Sequence, residues 1–220
     1  MSNFIITLMV AHFLASLGAA EIKNLKMATV SLLVQSLFLC TIFYAFKQLT
    51  GNESLIWWVL TTFLTKVIFI PWLLFIYIRR LPKIEVKPLL GLLPSLLILF
   101  FFLVIFYRFI HTYVEFLAPT PEAAVEPARS NLSLAFTIFA LGIYTVIARR
   151  DAVKIVIGLI LMENGVHLSL VTLTPQLPET TIFGITSNVI IAVFLLLYLT
   201  EKIYKALGTT DTLQLSSLKR

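Results

Sequence analysis

Two ionisable residues, Lys66 and Glu163, lie near the middle of hydrophobic runs that are long enough to cross a membrane. A charge at the centre of a membrane helix costs about 2.5–3.5 kcal/mol on insertion scales, so its presence indicates a functional role. His167 follows Glu163 by four residues, which puts carboxyl and imidazole on one helix face, where they could exchange a proton through one water molecule. A buried lysine can likewise carry a proton and release it. These residue types predict a proton or ion path; the alternative is a static buried ion pair.

Two further polar positions are candidates for the same path. His12 lies in the middle of the first hydrophobic run, and Asn188 lies beside Ser187 near the start of the last run, where the polar group could hold water. The alternative for His12 is a hydrogen-bonded packing residue. Pro71 follows Lys66 by five residues and cannot donate a hydrogen bond to the carbonyl of Val67, so we expect a kink in that helix.

The composition is that of an integral membrane protein. Of 220 residues, 59% are hydrophobic and 13% are charged, whereas soluble domains are about half apolar and a quarter charged. The mean hydropathy is +0.97. Because the apolar runs are continuous rather than alternating, and because lipid leaves backbone groups no other hydrogen-bond partner, we predict an all-α, polytopic helix bundle in a lipid bilayer.

Seven apolar runs are long enough, or nearly so, to span the hydrocarbon core and predict seven transmembrane helices: 4–20, 28–46, 55–78, 88–110, 132–147, 152–173 and 181–206. No basic residue precedes the first run, so we expect a retained helix rather than a signal peptide. The segment 118–130, APTPEAAVEPARS, is predicted to be an external linker between a four-helix block at 1–117 and a three-helix block at 131–220.

The basic residues predict the orientation. Of 17 lysines and arginines, 13 fall in the loops after helices 1, 3 and 5 or at the C-terminal end of the chain: Lys23, Lys26, Arg79, Arg80, Lys83, Lys87, Arg149, Arg150, Lys154, Lys202, Lys205, Lys219 and Arg220. The positive-inside rule then puts the N-terminus outside and the C-terminus in the cytoplasm. The net charge of +6 therefore reflects topology, and we expect no nucleic-acid partner.

Several classes of activity find no support in the sequence. We find no glycine-rich phosphate loop, no paired cysteine spacing and no nucleophile–base motif. We therefore expect no metal site, no cofactor bound by this chain and no catalysis by this chain alone.

Two resemblances cover the chain. Residues 131–220 resemble subunit K, the 4L-type subunit of bacterial NADH:quinone oxidoreductase (complex I), through IARRD and the following IGLILMENG. The full length resembles the hydrogenase-4 component E family, through LIWWVLTTFLTKVIFIP around Lys66, LMENGVHL around Glu163 and the terminal GTTDTLQLSSLKR.

These resemblances imply a membrane subunit, without redox centres of its own, of a complex I-like assembly of the group 4 nickel–iron hydrogenase type that translocates protons or another cation. The implied partners are antiporter-like and quinone-module-like membrane subunits, and the implied location is the inner (cytoplasmic) membrane of a prokaryote. Glu163 would belong to a chain of buried proton-carrying residues. Two alternatives are a scaffold that joins those larger subunits and a component of a multi-subunit cation/proton antiporter.

The resemblance to subunit K also predicts a gap in the path. The acid of subunit K in this helix aligns with Ile160, so Glu163 lies about 4.5 Å further along the axis. The other subunit K acid falls near Ser187 and Asn188, where this chain has no carboxyl group. An asparagine cannot exchange a proton as a carboxyl does, so water or a neighbouring subunit would have to complete the path.

Overall fold

The computed structural model describes residues 2–81, 91–117, 124–174 and 178–210. Within these residues, seven helices are long and apolar enough to cross a membrane, which confirms the predicted all-α, multi-pass architecture. The helices are α1 (Ser2–Glu21), α2 (Leu25–Thr50), α3 (Leu55–Arg79), α4 (Leu92–Leu117), α5 (Ala128–Ala148), α6 (Ala152–Leu173) and α7 (Glu179–Leu207).

The helix ends differ from the predicted runs by up to seven residues, at the end of α4, because polar residues at the ends of a run can still be helical. The predicted bounds of α6 are those observed. The helix α5 begins at Ala128, after Pro127, and therefore inside the predicted linker. Residues 118–123 of that linker and residues 88–90 of the fourth run lie outside the described residues.

Local side chains and glycines explain where several helices begin and end. The Asn24 side chain accepts hydrogen bonds from the backbone at the start of α2, and Asp151 does the same for α6, as expected for N-cap residues. Gly51 and Gly208 follow α2 and α7 with φ of 66° and 70°. This left-handed conformation is easy for glycine and ends a helix by closing the last turn.

The helix α3 contains a π-helical segment, Phe63–Phe69, which carries Lys66. At its end the backbone N–H of Ile70 donates to the carbonyl of Thr65, five residues back. The segment comes directly before Pro71, the residue that led us to expect a kink. The sequence thus marked this part of α3 as irregular, and π-helical turns are often found at functional sites.

The tightest helix pair, α5 and α6, packs through glycines. A Cβ atom built on Gly142 would lie 2.7 Å from the carbonyl oxygen of Gly158, and one on Gly165 would lie 2.7 Å from the carbonyl oxygen of Ala135. Small residues at such positions allow membrane helices to approach closely. The helix α6 also contacts α1, α2 and α7, whereas α4 and α7 leave most of their surface uncovered. The middle of α6 is therefore the interior of the bundle.

Candidate functional site

Lys66 and Glu163 form an ion pair inside the bundle. The Nζ atom of Lys66 lies 2.5 Å from Oε2 of Glu163 and donates to Oδ1 of Asn164 at 2.6 Å. It also contacts Nδ1 of His167. The Lys66 side chain is 2% exposed and that of Glu163 is 15% exposed. Whether these residues meet was left open by the sequence, and the structure brings three of the predicted site residues together.

Two helices position this cluster. Lys66 projects from the π-helical segment of α3, and its partners occupy little more than one turn of α6. On α6 the four-residue spacing that pointed to a shared face places Nδ1 of His167 2.8 Å from Oε1 of Glu163. The ring of Trp58 packs edge-on against the imidazole, with 5.7 Å between ring centroids. The imidazole is therefore held in place from both α3 and α6.

The geometry allows a proton to change partners at His167. Three acceptors surround Lys66 Nζ, which matches the three N–H groups of an ammonium. Nδ1 of His167 faces both Lys66 and Glu163. It can accept from Lys66 only without a proton, and it can donate to Glu163 only with one. When one proton moves from Lys66 to Nδ1, the hydrogen bond that Lys66 donates to Nδ1 is therefore replaced by one that Nδ1 donates to Glu163.

A string of hydrogen bonds extends the cluster to His12. The amide of Asn164 donates to Oε1 of Gln35 at 2.8 Å, and Nε2 of Gln35 lies 3.0 Å from Nε2 of His12. Nδ1 of His12 lies 2.9 Å from the carbonyl oxygen of Gln35. Since that carbonyl can only accept, Nδ1 carries the proton and Nε2 accepts from the glutamine. His12, Gln35 and Asn164 are all fully buried.

Gln35 was missed by the sequence analysis. The sequence nevertheless indicated it, because Gln35 is an amide in the middle of the apolar run 28–46. Polar side chains inside a membrane are costly unless they have partners. Asn188 has a different environment from the other predicted site residues. It is exposed on α7, and within the described part of the chain it makes no hydrogen bond to the cluster.

A second buried polar group lies at the end of the bundle where α5 turns into α6. The guanidinium of Arg149 lies 2.6 Å from Oε1 of Glu21, and the Ser95 hydroxyl donates to the same carboxylate oxygen at 2.5 Å. Ser95 also contacts the hydroxyl of Tyr144. Arg149 is 4% exposed, so a residue that the sequence analysis assigned only to topology is in fact an interior contact between α1 and α5.

Asp151 and Lys154 belong to the same end. Burial raises the pKa of Asp151, whose carboxylate accepts from the hydroxyl of Thr210 at 2.7 Å and caps α6. Lys154 is 1% exposed, and its Nζ donates to the carbonyl oxygens of Ala19 at 2.6 Å and Ala20 at 3.1 Å. These contacts tie the last turn of α1 and the end of the described chain to the start of α6.

Comparison with known proteins identifies the family. Residues 131–220 match the family model of NADH-ubiquinone/plastoquinone oxidoreductase chain 4L. The chain is 31% identical over 208 residues to hydrogenase-4 component E of Escherichia coli strain K12, which covers 94% of this chain and 93% of that protein. The same values hold for hydrogenase-4 component E of Shigella flexneri. No solved structure matches the chain. With the resemblance confirmed over nearly its whole length, the chain belongs to the hydrogenase-4 component E family.

Proposed function

We propose that this chain is a membrane subunit of a complex I-like, redox-driven assembly of the group 4 hydrogenase type, and that it carries protons through its interior. Electrons would move in other subunits. The observation that supports this most is the placement of one ring nitrogen of His167 against both Lys66 and Glu163. A site with this geometry can hold a proton on the lysine or on Nδ1 of the imidazole, and such groups inside membranes are typical of proton relays.

The proposed path uses every predicted site residue that the structure connects. A proton that reaches Lys66 shifts to His167, while Glu163 balances the positive charge. The amides of Gln35 and Asn164 link this pair to His12. These two amides and the neutral imidazole of His12 would orient water molecules and hydrogen bonds along the path. Asn188 would contribute only through water or a neighbouring subunit, because it lies exposed on α7.

We also propose the predicted orientation and partners. The N-terminus would lie outside and the C-terminus in the cytoplasm of a prokaryotic inner membrane. Two ion pairs support this arrangement by joining ends that the charge pattern assigns to the same side: Glu21–Arg149 between α1 and α5, and Arg80–Glu201 between α3 and α7. The uncovered surfaces of α4 and α7 are available to antiporter-like and quinone-module-like subunits.

A static role is the second candidate, and one observation favours it. The ammonium of Lys66 has a carboxylate counter-ion on α6 at 2.5 Å and further contacts to Asn164 and His167, an arrangement that is sufficient to hold α3 against α6 without any proton movement. In that case the chain would be a scaffold. Removal of one partner would then damage assembly by leaving one unpaired buried charge.

Redox-driven acidification of inverted vesicles tests the proposal. The complex is first purified in mild detergent and its subunits are identified by mass spectrometry, which tests the proposed partners. Lys66→Met and Glu163→Gln should then abolish acidification in complexes that still contain all subunits. The matched control is the ion pair Lys47–Glu53 at the end of α2, 2.8 Å apart, in which Glu53 is 83% exposed; Lys47→Met and Glu53→Gln should leave acidification unchanged. Normal acidification by both cluster variants would refute the proton path.

A further inference from the structure

Among the residues that the structure describes, the buried Lys154 has no ion-pair partner. Its two hydrogen-bond acceptors are backbone carbonyls in the last turn of α1, those of Ala19 and Ala20. The two nearest acids are engaged elsewhere: Glu21 pairs with Arg149, and Asp151 accepts from Thr210 and from the backbone at the start of α6. Within the described residues, no carboxylate lies within ion-pair distance of its Nζ.

The counter-ion distinguishes Lys154 from Lys66. Lys66 contacts a carboxylate oxygen of Glu163, in addition to Asn164 and His167. Lys154 donates to two uncharged backbone carbonyls, and two is the number of N–H groups on a neutral amine. A neutral amine also keeps a lone pair that can take up a proton. The surroundings of Lys154 therefore suit an amine that gains and loses a proton.

Lys154 also lies on a line of buried positions that leads to the cluster. His12, Ser16, Ala19 and Ala20 follow one another at helical spacing on one face of α1, and all four are fully buried. From His12 to Ala20 the rise is about 12 Å, and Ser16 lies halfway. The Ser16 hydroxyl donates to the carbonyl oxygen of His12 at 2.8 Å and retains lone pairs that can accept from water.

We propose that Lys154 is a second proton-exchange site, which takes up protons at the Glu21–Arg149 end of the bundle and passes them along α1 to His12. The amine takes a proton from a hydronium ion at that end, so one O–H bond breaks and one N–H bond forms. The ammonium then gives a proton to water hydrogen-bonded to Ser16, which breaks an N–H bond, forms an O–H bond and restores the neutral amine. The charged groups that face it are Glu21 from α1, Arg149 from the end of α5 and Asp151 before α6. This inference rests on the proposed function.

The competing explanation is a purely structural contact, here called a latch, in which Lys154 holds α1 against α6. A lysine at the carbonyl end of a helix stabilises that end, and Lys154 also joins α1 to α6. A latch needs a positive hydrogen-bond donor, which arginine supplies. Proton exchange needs a donor that can release its proton, and arginine does not do so in proteins. Arginine at this position therefore separates the two roles.

The test compares Lys154→Arg with Lys205→Arg, a matched change at an exposed lysine paired with Glu201 at 2.6 Å. Acidification of inverted vesicles is measured for the full complex and normalised to the amount of assembled complex. Lys154→Arg should lower acidification by about tenfold or more, the scale expected when a proton-transfer group is lost. Lys205→Arg should behave like the parent. Parental acidification by Lys154→Arg would overturn the inference and leave only the latch.

A second pair of variants keeps the test decisive if arginine does not fit. Lys154→His supplies a releasable proton and should retain part of the acidification, whereas Lys154→Gln should retain none. Equal rates for these two variants would contradict the inference. Glu163→Gln in the same assay separates the two proposals. If Glu163→Gln abolishes acidification and Lys154→Arg does not, the inference fails and the proposed function stands. If neither variant has an effect, both fail.

Discussion

The ammonium of Lys66 and the carboxylate of Glu163 lie 2.5 Å apart, on helices from the two halves of the chain. Each was singled out as a costly residue in its own hydrophobic run, and each is the other's counter-ion. Because of this contact, the free-energy cost of burying either charge depends on the presence of the other. It also brings His167 and Asn164 within reach of the same lysine nitrogen.

The first prediction concerns this pair as a structural unit. Lys66→Met and Glu163→Gln should each destabilise the purified complex by about 3–5 kcal/mol if the remaining charge stays buried and unpaired. The double variant should recover much of that loss, because no charge remains. Thermal unfolding in detergent measures the effect. Additive losses in the double variant would show that the two side chains are not energetically coupled.

The second prediction concerns His167. His167→Gln keeps a hydrogen-bonding side chain but cannot exchange a proton, so it should reduce acidification by about 100-fold while leaving the complex assembled. The control is His111→Gln, at a histidine on α4 that pairs with Glu126 at 3.1 Å. Acidification at the parental rate in His167→Gln complexes would exclude the imidazole from the path and leave it as a packing residue beside Trp58.

The third prediction concerns the link through Gln35. Gln35→Leu removes the partner of both His12 and Asn164. Each buried polar group left without a partner costs about 1–3 kcal/mol, so the thermal unfolding midpoint should fall. The control is Gln48→Leu, at a glutamine whose amide donates to the hydroxyl of Tyr44 in an exposed position. An unchanged midpoint in Gln35→Leu would mean that His12 and Asn164 find other partners.

The fourth prediction concerns the packing of α5 on α6. Gly165→Ala places a methyl group 2.7 Å from the carbonyl oxygen of Ala135, so the helices must separate, at a cost of about 1–3 kcal/mol. Gly184→Ala is the control, because nothing lies within 4 Å of a Cβ atom there. We expect lower thermal stability only for Gly165→Ala. Equal stability of the two variants would contradict the tight packing at this site.

The transmembrane helices were predictable because the physical cause is local. Lipid forces the backbone of each span to satisfy its own hydrogen bonds, and a long apolar run is enough to define such a span. Helix ends were less certain, as at Ala128, where polar residues continue α5 beyond the apolar run. The π-helical segment was not predicted, although Pro71 marked that part of α3 as irregular.

The sequence by itself determined that costly polar residues lie inside apolar helices at Lys66, Glu163, His167 and His12. Only the tertiary structure decided which of them meet, because contacts between helices depend on how whole faces pack and no single span contains that information. It joined Lys66 to Glu163, added Gln35 as the link to His12, and left Asn188 exposed. It likewise buried Lys154, whose position at a helix end had indicated topology alone. Charge and hydropathy act residue by residue and can be read along the chain, whereas hydrogen-bond partners inside a bundle exist only once the helices have packed.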